Sequence, residues 1–172
     1  ELRVLSGEEE GFLDYWGVAN SINGKDGLIM DIGGGSVELI WMRNREVEEN
    51  VSLPFGALDL TQHFNLYDSI TSSQQKSLKK YLLQKFQEIP WLPKVKIDRL
   101  IGVGGTIRNI AKIDQRNKEY PLDILHYYKM NNTAVQNVFN EVKSKNLEER
   151  KNINGLSKKR ADIFIGASAI VS

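Results

Sequence analysis

The stretch that decides the fold is residues 28–41, which read LIMDIGGGSVELIW. Residues 28–30 are an apolar run typical of a buried strand, residues 33–35 are three glycines that favour a tight turn, and residues 36–41 have the composition of a second strand. Asn44-Arg45 marks another turn, after which residues 46–53 return as a third strand. The sequence therefore predicts a three-stranded meander with a glycine turn between its first two strands.

The flanking sequence on both sides is mainly helical. Upstream, residues 2–5 alternate like a short strand, Ser6 is a candidate N-cap, and a helix follows with apolar positions at Phe12, Leu13, Trp16 and Val18. Downstream, the apolar spacing predicts helices over about 72–88, after 106, over 135–142 and over about 159–171, with a strand at 99–103. Strands combined with alternating helices and a further strand predict an α/β layered domain.

Composition excludes several classes of function. The chain has 172 residues, about one domain, and its 23 Lys and Arg against 22 Asp and Glu argue against a polybasic nucleic-acid clamp. It contains no cysteine, which excludes disulfides, thiolate zinc sites and a cysteine nucleophile, and which fits a cytoplasmic location. It has no run of about 18 apolar residues, so no membrane span is expected.

The first candidate site is the segment from Asp31 to Glu38. Glycines at positions 33–35 permit positive φ and a close approach of a ligand to main-chain N–H groups, which can form an anion-binding hollow. Asp31 ends the first strand, and Ser36 and Glu38 lie two apart, so they share one face of the second. Carboxylate and hydroxyl oxygens suit Mg²⁺. The alternative is an ordinary hairpin with a glycine turn and two solvated acids.

A second glycine segment, residues 102–106, follows a strand and opens a helix, where free N–H groups bind phosphate well. It matches neither a Walker A loop nor the Rossmann pattern, and a tight strand-to-helix turn is the alternative. The acids at 8–10 favour a helix N-terminus, with a water-activating carboxylate as the alternative. His63 and His126 lack metal-binding spacing. Arg108, Lys112 and Arg160 are candidate anion-binding side chains, although for Lys112 a solvated surface charge is the favoured alternative.

Five segments recur in the order of a known family: residues 6–10 (SGEEE), 28–38, 53–57 (LPFGA), 102–109 (GVGGTIRN) and 160–162 (RAD). On these segments the chain resembles the exopolyphosphatase and guanosine pentaphosphate phosphohydrolase (Ppx/GppA) family of the acetate kinase, sugar kinase, Hsp70 and actin superfamily. The resemblance implies a ribonuclease-H-like (actin-like ATPase) lobe with a mixed sheet flanked by helices. It assigns residues 1–26 to the end of a first lobe and a linking segment, and 27–172 to a second, phosphate-binding lobe with an interlobe helix at 158–172. A first-lobe phosphate loop is not found in this sequence, so a missing N-terminal lobe is expected to supply the other wall of the cleft.

The same resemblance implies Mg²⁺-dependent release of terminal orthophosphate from inorganic polyphosphate or guanosine pentaphosphate. It makes Glu10 the base that activates water, with Glu9 as its alternate, and Asp31 and Glu38 the metal-associated acids. The residues it implies for phosphate binding are Gly33, Gly34, Gly35, Ser36, Gly104, Gly105 and Thr106. Guanosine tetraphosphate is a further expected ligand, and a homodimer fits the family. Two alternatives stay open: an ATP-dependent kinase relative, and a sensor module that binds polyphosphate or a phosphorylated nucleotide without turnover.

Overall fold

The computed structural model describes residues 3–97 and 99–172. Seven α-helices and four β-strands make up the fold in this part of the chain. In chain order they are α1 Gly7–Ser21, β1 Gly27–Ile32, β2 Val37–Arg43, β3 Glu46–Leu53, α2 Ala57–Phe64, α3 Ser72–Gln87, β4 Leu100–Gly102, α4 Gly104–Asn117, α5 Asn132–Lys143, α6 Leu147–Arg150 and α7 Phe164–Val171. Short 3₁₀ turns cover Leu92–Lys94 and Lys158–Arg160.

The strands form one mixed sheet in the order β3-β2-β1-β4. β1, β2 and β3 pair antiparallel in sequence, which confirms the predicted meander, and β4 pairs parallel with β1. The register places Asp31 opposite Glu38, so both side chains project from the same face of the sheet. The predicted α/β architecture, a mixed sheet flanked by helices, is confirmed.

Helices cover both faces of this sheet. On one face α1 contributes Tyr15, Val18 and Ala19 to a core shared with Ile29 and Ile40 of the sheet. The other face carries a larger core, built with α2, α3, α4, α5 and α7. A sheet buried on both sides explains the nearly continuous apolar runs of β1 and β2.

The apolar positions of α1 predict its buried face, and this prediction is mostly wrong. Phe12, Leu13 and Trp16 are 45%, 57% and 49% exposed, and of the predicted four only Val18 is buried. The buried face follows Gly11, Tyr15, Val18 and Ala19 instead, which is also a helical spacing. This helix is apolar on two faces, and the periodicity alone does not reveal which face meets the sheet.

Three further features differ from the prediction. α4 begins at Gly104 rather than after residue 106. The last helix begins at Phe164 rather than near 159, because residues 158–160 form a 3₁₀ turn and the Asp162 carboxylate accepts a hydrogen bond from the Ile163 N–H at 3.0 Å. Residues 3–6 form no strand, and Leu2 lies outside the described residues. None of the helices in the described part of the chain is long and apolar enough to cross a membrane.

Candidate active site

Three helices begin at the same end of the sheet. α1 begins beside β3, because a side chain on Gly7 would collide with Ser52. α2 begins four residues after β3 ends, and α4 begins two residues after β4 ends. Helix N-termini carry a partial positive charge, so this end of the sheet favours anions. The candidate residues of both glycine segments lie here.

Hydrogen bonds fix the glycine turn at 33–36 from one side only. Gly33 N–H donates to the Ser36 carbonyl at 3.0 Å, and the Gly33 and Gly34 carbonyls accept from the first two N–H groups of α2 at 3.0 and 2.8 Å. No acceptor among residues 3–97 and 99–172 pairs with the N–H groups of Gly34, Gly35 and Ser36. The turn therefore directs its carbonyls towards α2 and leaves three consecutive N–H groups free for an anion.

The glycines of this turn serve close approach and not positive φ, contrary to the expectation from sequence, since Gly33, Gly34 and Gly35 all have negative or extended φ. A side chain at Gly34 would point into open space, which is the space a ligand would occupy. Gly56 has a different constraint, because its Cβ would lie 2.5 Å from the carbonyl carbon of Gly34. The Pro54-Phe55-Gly56 segment thus allows the start of α2 to press against the turn.

The second glycine segment lies between the Asp31 carboxylate and the Arg160 guanidinium. Gly104 has φ +75°, and a side chain there would collide with the Asp31 carboxylate. A side chain at Gly105 would collide with the guanidinium of Arg160, so this cation lies against the first turn of α4. Thr106 is buried, and its hydroxyl donates to the Ile32 carbonyl at 2.9 Å. The Thr106 side chain therefore ties α4 to β1, and only its main chain is left for a ligand.

Asp31 and Glu38 form the acidic pair of the site. Asp31 Oδ1 accepts from the Ile32 N–H at 2.7 Å, which fixes the carboxylate at the end of β1. Glu38 is 1% exposed, and its Oε1 accepts from the Ser52 hydroxyl at 2.8 Å. Burial raises the pKa of Glu38, hydrogen bonds from the Ser36 and Ser52 hydroxyls oppose this, and the negative charges of Glu10 and Asp31 add to it.

The two candidate bases on α1 are placed differently. Glu9 completes a capping box with Ser6, accepting from the Ser6 N–H at 2.9 Å, and it also pairs with Arg3. The hydrogen bond from the Ser6 main chain holds the pKa of Glu9 below its ordinary value. Glu10 makes no such bond and is exposed, yet its charge acts on Glu38. Of the two, Glu10 is the carboxylate that faces the site, and its role as base stays a prediction.

Asp14 is a fourth acid that sequence reasoning missed. It follows Glu10 by one turn of α1, and burial together with the charges of Asp31, Glu38 and Glu10 raises the pKa of Asp14 to about 7. Its Oδ2 is buried without a hydrogen-bond partner in the described chain. The spacing of positions 10 and 14 on one helix face was the available signal.

The donor set suits a hard divalent cation. Within residues 3–97 and 99–172, no three His, Asp or Glu side chains converge closely enough to hold a metal ion by themselves. Mg²⁺ commonly uses one or two carboxylates together with waters and substrate phosphates. The unpaired Asp14 Oδ2 beside other acids is the local excess of negative charge that such an ion would neutralise. Asp31 and Glu38 therefore fit Mg²⁺ when a phosphate supplies further ligands.

Comparison with known proteins identifies the family. A match to the Ppx/GppA phosphatase family covers residues 1–172, the whole chain. The chain belongs to this family. Among solved structures, the Ppx/GppA family member of Aquifex aeolicus has a TM-score of 0.84 at 26% identity, over 98% of this chain and 54% of the other. An exopolyphosphatase from Cytophaga hutchinsonii has a TM-score of 0.86 at 23% identity, over 96% of this chain and 55% of the other, and this likeness shows the fold alone.

Two curated proteins resemble the chain over part of their own length. A bifunctional 3-dehydroquinate synthase/phosphatase of Fusobacterium nucleatum subsp. nucleatum is 26% identical over 99% of this chain and 26% of that protein. A guanosine-5'-triphosphate,3'-diphosphate pyrophosphatase of Vibrio vulnificus is 30% identical over 65% of this chain and 23% of that protein. The chain thus spans about a quarter of these curated relatives and just over half of the solved ones.

Proposed function

We propose that this chain carries one wall of a phosphoanhydride hydrolase site, and that the whole protein releases terminal orthophosphate from inorganic polyphosphate or guanosine pentaphosphate. The observation that carries the proposal is the row of free N–H groups at residues 34–36, beside Asp31 and Glu38. Membership of a phosphatase family and a curated relative that acts on a guanosine polyphosphate support it. The proposal covers both inorganic polyphosphate and guanosine pentaphosphate as substrates.

Each residue has a role that follows from its placement. The free N–H groups of Gly34, Gly35 and Ser36 bind the oxygens of the terminal phosphoryl group, where negative charge is concentrated. Glu10 is exposed, and its carboxylate has no hydrogen-bond partner in the described chain, so it orients a water molecule and accepts its proton. Mg²⁺, when held by Asp31 and Glu38 with the substrate, supplies charge neutralisation on the phosphate oxygens.

The acidic surroundings also set the protonation state of the site. Asp14 and Glu38 both have raised pKa values, because their burial and their neighbours' charges disfavour ionisation. A positively charged ligand lowers these pKa values and a substrate with bound Mg²⁺ therefore binds better than the bare polyanion. We expect substrate affinity to rise with Mg²⁺ concentration for this reason.

A complete cleft needs a second wall. Positioning of both the water and the leaving group is what accelerates phosphoryl transfer, and it requires contacts on both sides of the phosphate. The solved relatives are nearly twice as long as this chain, which supports a further lobe as the source of that wall. The activity is accordingly proposed for the protein with both walls.

The test compares two neighbouring glutamates of α1. Glu10→Gln removes the proposed base and is expected to cut phosphate release by about two to four powers of ten while leaving phosphate binding nearly intact. Glu8→Gln is the matched control, since Glu8 is also exposed and also in the first turn. The assay measures orthophosphate released from each substrate with and without Mg²⁺.

Turnover of the Glu10→Gln variant at the wild-type level would discard Glu10 as the base. Tight substrate binding by the wild-type protein with no phosphate release, in a form that includes both walls, would favour the sensor module over the enzyme. Transfer of a phosphoryl group from ATP to an acceptor, without release of orthophosphate, would favour a kinase.

A further inference from the structure

Ser52 extends the row of the acidic pair onto a third strand. The register places Asp31 opposite Glu38 and Glu38 opposite Ser52, so the three side chains project from the same face of the sheet. Ser52 Oγ donates a hydrogen bond to Glu38 Oε1 at 2.8 Å. One of the two proposed metal-associated acids therefore has a hydroxyl partner on the side of the row that lies away from Asp31.

The first turn of α1 covers this hydrogen bond. A Cβ atom on Gly7 would collide with Ser52 Oγ and would lie 3.7 Å from Glu38 Oε1, so the helix passes directly over both atoms. Ser52 is partly buried and Glu38 is buried. Because the glycine leaves room for the hydroxyl and the helix limits the access of water, the bond between Ser52 and Glu38 is held in one geometry.

Asn50 is a neighbour of Ser52 that contacts the same helix. It lies two residues earlier on β3 and therefore projects from the same face. Its Nδ2 donates to the Glu8 carbonyl at 3.0 Å, and a Cβ atom on Gly11 would lie 2.6 Å from its Oδ1. Both β3 side chains thus hold α1 against the sheet, and the contact that Ser52 has in addition is the hydrogen bond to Glu38.

We propose that Ser52 is a positioning residue that orients the Glu38 carboxylate for the divalent cation of the phosphate substrate. The proposal rests on the proposed function and adds a residue that lies outside both glycine segments. A carboxylate whose orientation is fixed before the cation arrives loses less conformational freedom on binding it. Hydrogen-bond partners that orient a metal ligand in this way typically contribute about ten- to a hundred-fold to metal affinity.

The experiment measures cation binding and not hydrolysis. The full-length protein is titrated with Mn²⁺ as a substitute for Mg²⁺, in the presence of a low concentration of inorganic phosphate. The electron paramagnetic resonance signal of the free Mn²⁺ ion gives the affinity. Ser52→Ala removes the hydroxyl, Ser52→Thr retains it, and Asn50→Ala is the matched control, because it removes a β3 contact with α1 but leaves Glu38 its partner.

We expect Ser52→Ala to bind Mn²⁺ about ten-fold or more weakly than the wild type. Ser52→Thr should restore the wild-type affinity, because its hydroxyl can make the same bond. Asn50→Ala should bind Mn²⁺ like the wild type, although its thermal midpoint falls with the loss of a hydrogen bond to α1. A purely structural role of Ser52 predicts instead a lower midpoint with unchanged Mn²⁺ affinity.

A second variant tests the same contact without changing Ser52. Gly7→Ala places a methyl group where the Ser52 hydroxyl lies, so it should displace the hydroxyl from Glu38 and also weaken Mn²⁺ binding. Far-UV circular dichroism and thermal midpoints verify that each variant folds. This variant provides the measurement if Ser52→Ala does not fold.

Three outcomes would overturn the proposal. Wild-type Mn²⁺ affinity in a folded Ser52→Ala or Gly7→Ala variant would show that Glu38 needs no such partner. Equal weakening by Asn50→Ala would assign the effect to the packing of α1 on β3. Failure of Ser52→Thr to restore affinity would exclude the hydroxyl as the cause. A wild-type protein that binds Mn²⁺ in a Ser52-dependent manner but releases no orthophosphate would refute the proposed function alone.

Discussion

Asp14 carries the least favourable charge in the site. Its carboxyl has one oxygen buried without a hydrogen-bond partner among the described residues, and three other acids act on it. An uncompensated carboxylate in such a place lowers stability whenever it is ionised. The folded protein therefore has a pH-dependent defect at this position, which a cation or a proton relieves.

The direction of that pH dependence follows from linkage. The pKa of Asp14 is about 7 in the folded chain against 3.8 as the ordinary value. The folded state therefore holds the proton more strongly than the unfolded state between these values, and the destabilisation is absent below pH 3.8, grows as pH rises, and is complete above about 7.

Asp14→Asn should therefore stabilise the protein at pH 8 and have little effect at pH 4. A gain of about 1 kcal/mol corresponds to a rise of roughly 2–4 °C in thermal midpoint for a chain of this size. Thermal unfolding at the two pH values measures it, with Glu8→Gln as a control that removes an exposed acid. Equal midpoints for wild type and Asp14→Asn at pH 8 would show that the charge is already compensated.

The sequence identifies which side chains lie at the site better than it predicts their burial and protonation. The Asp31 and Glu38 pair was predicted from two strand positions, and the register places them opposite each other. Asp14 was missed because its surroundings come from β1 and β2 as well as from its own helix. The Thr106 hydroxyl donates to the Ile32 carbonyl, so the phosphate-binding role predicted for this residue stays a prediction about its main chain.

Among elements, α4 depends on a glycine that no other residue replaces easily. Gly104 combines φ +75° with contact to the Asp31 carboxylate, so a methyl group there meets both backbone strain and a collision. Gly17 in the exposed part of α1 offers the opposite case, since nothing lies within 4 Å of its Cβ position.

Gly104→Ala should lower the free energy of unfolding by about 2–4 kcal/mol, whereas Gly17→Ala should raise it by roughly 0.5–1 kcal/mol through helix propensity. Urea denaturation followed by circular dichroism measures both. A Gly104→Ala variant as stable as the wild type would mean that the turn between β4 and α4 relaxes freely, and the close packing of Asp31 on it would then need revision.

The positions of the helices and strands were largely predictable from sequence, but the face of α1 that is buried was not. The glycine run at 33–35 and the turn at 44–45 delimit the meander correctly, because turn chemistry is local. The buried side of α1 is set by the shape of the sheet face under it, which a single helix pattern does not contain. The late start of α7 depends on the Asp162 side chain and on contacts of the preceding segment.

One buried arginine joins three segments of the chain. Arg150 is fully buried, and its guanidinium donates to the carbonyls of Ala161 at 2.8 Å, Lys145 at 2.7 Å and Tyr67. It thus links the connection after α2, the end of α5 and the segment that carries Arg160. The position of the Arg160 cation beside α4 depends on this junction.

Arg150→Met should lower the free energy of unfolding by about 3 kcal/mol, because one buried and two partly buried carbonyls lose their donor. Arg116→Met is the matched control, since Arg116 pairs with Asp123 on the surface and should contribute less than about 1 kcal/mol. Chemical denaturation of both variants provides the comparison. Similar losses for the two would show that water replaces the Arg150 hydrogen bonds.

The division into a linking segment at 1–26 and a lobe at 27–172 stays a prediction, and so does a homodimer. Within this chain α1 packs on the sheet and Tyr15 donates to the Arg45 carbonyl at 2.7 Å. Its other face presents Phe12, Leu13 and Trp16 to solvent. The packing of lobes or protomers depends on two surfaces that come together in space. A sequence pattern describes only one of these surfaces, so it does not predict the contact.

The bonding between the glycine turn and α2 makes the turn observable from outside the site. The amide hydrogens of Ala57 and Leu58 are held by the Gly33 and Gly34 carbonyls. Their exchange with deuterated water therefore reports how often the turn opens, without any label near the acids. Inorganic phosphate bound to the free N–H groups should slow exchange at these two positions. NMR spectra of the amides would measure this slowing on the side of the turn that does not contact the ligand.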